Sequence, residues 1–311
     1  MKILVTEYAV GAGIEEFMLE GKAMLDTLVK SFVSCGHVVL YPSAGVKLQS
    51  GKAIRTTGFE GTVRKLSKEC DAALVIAPDE ILGDLTEIIE KNSVNLGCPS
   101  DSIRLCADKL ECTRILSHAG IPVPETIGSG EYGVGYNGDF NGDFVIKPRF
   151  GCASEGIYRS KRGKIKEGFI ATAFVEGEHL SVSLITGKTQ LPLTVNRQLI
   201  EIKDNFSYKG SVVPYHCERN GEIIDVAKKT ARILGCRGYS GIDIVLGDKP
   251  YVVDVNPRPT SSIIGISKVM ETQIADLILK SKFGELPDHV EINGSFTFTK
   301  DQLSFFKRAQ K

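Results

Sequence analysis

The sequence predicts an α/β fold, with a parallel sheet over residues 1–100 and a second unit that starts near Ser100 and turns strand-rich from Gly168 onward. Two patterns predict it. In the first hundred residues short apolar runs alternate with stretches of helical periodicity, the signature of parallel strands joined by crossover helices. Past Gly168 the apolar runs follow one another with turn residues between them, as in a meandering sheet. At 311 residues the chain is long enough for about two domains, each able to bury a core of its own.

Lys2–Thr6, Val38–Tyr41 and Ala72–Ala77 are the first strands, and helical spacing separates them at Lys22–Val33 and around Thr62–Lys68. The turn after the first strand, Val5-Thr-Glu-Tyr-Ala-Val-Gly-Ala-Gly13, lies where an open α/β sheet presents ligands. As a dinucleotide fingerprint it fails. Only Gly11 and Gly13 are present, and Tyr41-Pro42 stand where an acidic residue should follow the second strand. Glu7 and the glycines could bind part of a substrate instead.

Ser102–Ala119 has helical spacing with Asp108-Lys109 in its middle, and Gly120-Ile-Pro-Val-Pro124 stops it. The glycine-rich stretch Gly128–Gly142 reads as an exposed loop. Phe144-Val-Ile-Lys-Pro148 reads as a strand ending in a lysine, because Pro148 has no N–H to continue the ladder. Next comes a loop of small residues bounded by Gly151 and Gly156, of a kind that brings backbone N–H groups against phosphate oxygens. Strands are then expected at Phe169–Val175, Leu180–Ile185, Leu191–Val195 and Val212–Tyr215, with helices at Glu222–Leu234 and Ile266–Lys280.

The segment Ser240-Gly-Ile-Asp-Ile-Val-Leu-Gly-Asp-Lys-Pro-Tyr-Val-Val-Asp-Val-Asn256 carries the most chemistry. It reads as a hairpin with a turn at Gly247–Pro250. If Leu246 pairs with Tyr251, then Ile244 meets Val253, Ile242 meets Val255 and Asp243 meets Asp254, with Asn256 on the same face as Asp254. Two carboxylates opposite each other repel unless a cation lies between them. Two acids and an amide suit a hard ion such as Mg²⁺, which takes further ligands from phosphate and water. Arg258, Ser261 and Ser262 follow directly, a guanidinium and two hydroxyls ahead of a helix, as a phosphate or carboxylate site requires.

Composition narrows the function further. The 38 basic and 38 acidic residues cancel, so nothing global points to nucleic acid or an anionic membrane. No apolar stretch approaches the roughly 20 residues of a membrane span, and Met1–Thr6 is a strand and not a leader, so a cytoplasmic protein is expected. The eight cysteines form no close pair at zinc or redox spacing and read as reduced and structural. The role of Cys152, in the glycine-flanked loop, stays open.

The ordered set of these features resembles the ATP-grasp superfamily. The resemblance implies an N-terminal Rossmann-like parallel-sheet domain over 1–100 and two α+β subdomains, 101–173 and 174–311, that clamp ATP. It implies that Lys109 and Lys147 meet phosphates and that the loop carrying Gly151, Ser154 and Gly156 covers them. Phe174, Val175 and Glu176 would form the adenine hinge, and Glu178 or His179 would take the ribose. Asp243, Asp254 and Asn256 would hold Mg²⁺ or Mn²⁺, and Arg258, with Lys147, would stabilise the transferred phosphoryl group. The implied chemistry is carboxylate-amine ligation through an acylphosphate, with ADP and phosphate released.

Within the superfamily, Glu7-Tyr-Ala, Lys147-Pro-Arg-Phe-Gly151 and Val195-Asn-Arg-Gln198 look similar to archaeal ligases of methanofuran biosynthesis. This implies the γ-carboxylate of L-glutamate and the amine of tyramine as substrates, with Glu7, Arg197, Ser261 and Ser262 as candidate contacts. Two alternatives stay open: a relative acting on other amino acids, of the D-alanine or lysine/pyrrolysine-synthesis type, or an ATP-binding regulatory module without turnover. The expected partners are small molecules, and a homodimer is one state the chain could take.

Overall fold

A computed structural model of the chain describes residues 1–129, 139–151, 156–203, 205–300 and 302. The first unit runs β1 (Lys2–Glu7), α1 (Tyr8–Ala12), α2 (Met18–Ser34), β2 (Val38–Ser43), β3 (Lys52–Arg55), α3 (Phe59–Ser67), β4 (Ala72–Ile76), α4 (Asp79–Glu90) and β5 (Val94–Asn95). Its five strands are all parallel, in the order β3-β2-β1-β4-β5. Chain order reverses between β1 and β4, and the crevice beyond their carboxyl ends is where such a sheet binds ligands. Glu7 ends β1 and Asp79 follows β4, so two acids flank that crevice.

Two helices, α5 (Ser100–Ala107) and α6 (Lys109–His118), lead to a four-stranded antiparallel sheet of β6 (Thr126–Gly128), β7 (Asp139–Pro148), β8 (Tyr158–Lys164) and β9 (Phe169–Ala173). Its own core is small, built on Phe144, Ile146, Ile165 and Ala171. The last sheet has six strands, in the order β14-β13-β10-β11-β12-β15. It is made from β10 (Glu178–Thr186), β11 (Gln190–Ile202), β12 (Phe206–Val213), β13 (Gly238–Leu246), β14 (Pro250–Asn256) and β15 (Phe296–Thr299). Helices α7 (Asn220–Ile233), α8 (Ser262–Val269) and α9 (Ile274–Phe283) pack on it. One core joins this sheet to the first unit: Leu25, Leu28 and Phe32 of α2 share a buried cluster with Ile263, Ile266 and Ile278 of α8 and α9.

Four sequence expectations are corrected. The single helix expected over 102–119 is two, because Asp108 leaves the helical region at φ −83° and ψ 90° and caps α6, its carboxylate accepting from the Glu111 N–H at 3.2 Å. The same carboxylate takes both arms of Arg149, at 2.7 and 2.6 Å. The helix expected over 266–280 also breaks. Ser31 of α2 accepts from the Ala275 N–H at 3.0 Å and donates to the Gln273 side chain at 3.0 Å, so a residue distant in sequence starts α9. The Gly128–Gly142 loop is shorter than expected, since β6 ends at Gly128 and β7 begins at Asp139, while residues 130–138 lie outside the described residues.

The fourth correction is the hairpin register. Asp243 pairs with Asp254 and Ile242 with Val255 as expected, but Ile244 pairs with Val252 and Leu246 with Pro250, so Val253 is an inserted bulge residue. Strand β8, with the sequence Tyr-Arg-Ser-Lys-Arg-Gly-Lys, escaped notice because it has no apolar face and is defined by its ladder to β7. Among the described residues no helix is long and apolar enough to cross a membrane, and all the described cysteines are free.

Candidate active site

A cleft of about 340 Å³ lies between the three sheets, and Phe174, Val175, Phe17, Phe206 and Tyr208 are part of its lining. Much of the rest is ionic. Lys109, Lys147 and Arg258 line it together with Asp243, Asp254 and Asn256.

Each of these residues is set by its element. Lys109 is the first residue of α6 because Asp108 breaks the helix before it; its ammonium donates to the Gly151 carbonyl and lies 3.8 Å from Asp79. Lys147 sits near the end of β7, buried, and its ammonium donates to the Val253 carbonyl at 2.8 Å. That carbonyl belongs to the bulge residue of β14, so the irregular hairpin serves the lysine as well as the acids. Burial pulls the Lys147 ammonium below the ordinary lysine range, with Asp254 opposing the shift. Arg258 lies just past β14, with its Nε 3.8 Å from Asp79.

Asp243 and Asp254 face each other across the β13–β14 ladder. Burial, then the Asp254 charge, pushes the Asp243 carboxyl up to about 7, although Asn256 donates to it at 3.3 Å and Gln198 at 3.0 Å. A divalent cation would relieve that repulsion, so the donors fit Mg²⁺ or Mn²⁺. Among the described residues no group of three or more His, Cys, Asp or Glu side chains could hold a metal. Two acids and an amide leave the remaining positions to phosphate oxygens and water.

Glu7 is buried at the crevice of the parallel sheet, and burial pushes its carboxyl up to about 7 against the pull of the Val10 and Ala9 backbone. One oxygen accepts from the Val10 N–H at 2.8 Å. The carboxylate lies so close to α2 that a Cβ on Gly21 would come within 2.4 Å of it, which is why glycine stands there.

These shifts set a pH dependence. Asp243 and Glu7 hold protons more tightly folded than unfolded, where a carboxyl titrates near about 4. Their stabilising effect is complete below about pH 4 and is lost as pH rises to about 7. Without Mg²⁺ and ATP, the melting temperature should therefore fall between about pH 4 and pH 7. Asp243→Asn should flatten that fall, and an identical profile in the variant would refute the assignment.

The cleft gathers most of the residues expected from sequence and leaves others out. Gly151, Phe174, Val175, His179, Ser261 and Ser262 line it with the ionic residues and Glu7. His179 and Glu178, adjacent on β10, point to opposite faces: His179 lines the cleft, while Glu178 accepts from the Tyr215 hydroxyl at 2.9 Å and lies 3.8 Å from Arg197. Arg197 is likewise turned from the cleft, over the Tyr215 ring, and its neighbour Gln198 reaches Asp243 instead. Two-residue alternation explains both corrections. Glu176 is exposed and absent from the cleft wall. Gly156 closes its loop at φ +67° without lining the cleft, and Ser154 and Cys152 lie outside the described residues.

Sequence reasoning missed Asp79, which touches two of the cations, and the aromatic wall of Phe17, Phe206 and Tyr208. The acid opening a helix right after β4 was a usable signal for the first. The wall comes from separate units and had none.

Comparison with known proteins agrees with this geometry. The family model of the ATP-grasp domain matches residues 106–262, and that of the pre ATP-grasp 3 domain matches 52–103. The tyramine–L-glutamate ligase of Methanocaldococcus fervens is 32% identical over 299 residues, covering 91% of this chain and 94% of the relative. That of Methanocaldococcus jannaschii is 32% identical over 300 residues, covering 91% and 90%. Among solved structures, an ATP-grasp superfamily protein from Archaeoglobus fulgidus superposes with a TM-score of 0.77 at 32% identity, covering 93% of this chain and 90% of that one. N5-carboxyaminoimidazole synthetase from Staphylococcus aureus, complexed with ADP, has the same fold at a TM-score of 0.74 and 16% identity, covering 99% and 86%.

Proposed function

Because the chain belongs to the ATP-grasp family, we propose that it is an ADP-forming ligase that joins the γ-carboxylate of L-glutamate to the amine of tyramine. The observation that carries the reading is one cleft lined by Lys109, Lys147 and Arg258, by the acid pair Asp243 and Asp254, and by the aromatic side chains of Phe17, Phe174, Phe206 and Tyr208. The covalent steps need positioned charge more than a protein nucleophile.

Phe174 and Val175 supply a flat apolar slot for adenine, and His179, which burial holds toward its neutral form, faces the ribose position. Lys109, Lys147 and Arg258 meet the phosphates. Asp243, Asp254 and Asn256 would hold Mg²⁺ or Mn²⁺, which when bound neutralises phosphate charge. A glutamate γ-carboxylate oxygen attacks the γ-phosphorus of ATP, giving acylphosphate and ADP. The amine nitrogen then attacks the acyl carbon, the C–O bond to phosphate breaks, and the amine releases a proton. Glu7, with its carboxyl near neutral, is suited to take that proton. Phe17, Phe206 and Tyr208 offer an apolar wall for the phenol ring, and Ser261 and Ser262 face the same space at the start of α8.

ADP release over a matrix of amino acids and amines, with mass detection of product, tests the substrates. The largest kcat/KM is expected for glutamate with tyramine. With ¹⁸O in the glutamate γ-carboxylate, one label should appear in the released phosphate. Label in AMP would refute the acylphosphate route, and tight ATP binding without product from any pair would favour a regulatory module.

A further inference from the structure

The reaction just described leaves one buried acid without a task. Asp79 opens α4 immediately beyond β4, and its side chain is 10% exposed. One carboxylate oxygen lies 3.8 Å from the Lys109 ammonium and the other 3.8 Å from Arg258 Nε. Lys109 comes from α6 and Arg258 from the segment after β14, so an acid of the parallel-sheet unit touches one cation from each of two distant parts of the chain.

The contacts are ion pairs without hydrogen bonds. Among the described residues, neither Asp79 Oδ1 nor Arg258 Nε, both buried, has a hydrogen-bond partner. Burying a carboxylate costs several kcal/mol, and its lone pairs normally find donors. Neutralising a single cation would need a single contact. Two contacts at equal length instead fix the separation of Lys109 and Arg258 without consuming their donors. Lys109 gives a hydrogen bond to the Gly151 carbonyl, and Arg258 Nη1 gives a long one, 3.4 Å, to Pro259. Among the described residues these are the hydrogen bonds the two cations make, which leaves their other N–H groups for a ligand. The acid also competes for Arg258 with Asp243, whose charge the guanidinium otherwise feels.

We propose that Asp79 is a positioning residue: it holds Lys109 and Arg258 at a set spacing, so that the transferred phosphoryl group meets two preplaced cations, and it ties the unit carrying Glu7 to the ATP site. The proposal rests on the ligase reading above.

Asp79→Asn keeps the shape and removes the charge. Because a negative charge beside the phosphates leaves, Mg-ATP measured by calorimetry should bind as tightly as to wild type or up to about tenfold more tightly. Turnover at saturating substrates should fall at least about tenfold, because the cations lose their fixed separation. A role in packing alone would not split affinity from turnover in this way. In an Arg258→Lys background the same change should cost less than about threefold, since the residue acts through the arginine. Melting without ligand should stay within a few degrees of wild type. Weaker Mg-ATP binding in proportion to turnover, equal losses in both backgrounds, turnover within twofold of wild type, or loss of the fold would each overturn the proposal. Failure of the ligase reading would show differently, as no amide from the wild-type protein with any substrate pair.

Discussion

Asp254→Asn is expected to lower ligation by about 10³-fold or more while leaving the protein folded. Asp254 and Asp243 oppose each other on β14 and β13, and the charge of the first helps push the second up to about 7. Removing one carboxylate leaves a cation one formal charge in place of two, with Asn256 as the remaining neutral donor. The metal-free protein should not suffer. Like charges directly opposite on a ladder destabilise it, so its melting temperature should hold or rise, whereas the increase that Mg-ATP confers on wild type should largely disappear. Melting curves with and without Mg-ATP, beside a phosphate-release assay, test both halves. Turnover near wild type would remove the metal platform from the mechanism.

Lys147→Met should be nearly as damaging, for a different reason. The ammonium is buried and donates to the Val253 carbonyl, and burial already lowers its proton affinity. Methionine keeps the stem and deletes the charge, so stability should be unchanged or slightly improved. Mg-ATP affinity should fall about tenfold or more, and turnover about 10²-fold or more, since one of the three cations proposed to meet the phosphates is gone. Calorimetric affinity equal to wild type would make Lys147 a structural cation.

The residues along one strand pair were legible because alternation and turn position nearly determine what faces what. Asp243, Asp254 and Asn256 were placed on one face without coordinates, and the bulge at Val253 fell beyond them and left that pairing intact. Parity also marks where the reading failed. Choosing Glu178 or Arg197 requires knowing which face of the sheet is the cleft, and that depends on helices packed from elsewhere. The helix breaks at Asp108 and before Ile274 were hidden for a related reason. Arg149 and Ser31, neither of them local, supply the partners that make each break favourable.

By itself the sequence determined the α/β class, the parallel first sheet and the opposed acids, because local periodicity and nearest-neighbour pairing carry that information. Only the tertiary structure decided that Asp79 lies between Lys109 and Arg258, that Glu7 presses against Gly21, and that Phe17, Phe206 and Tyr208 line one cleft. Those contacts join residues from different elements, and all but the Glu7–Gly21 one from different units. Burial, which shifts their charges and fixes their spacing, is a property of how the sheets pack against one another and leaves no periodic trace along the chain.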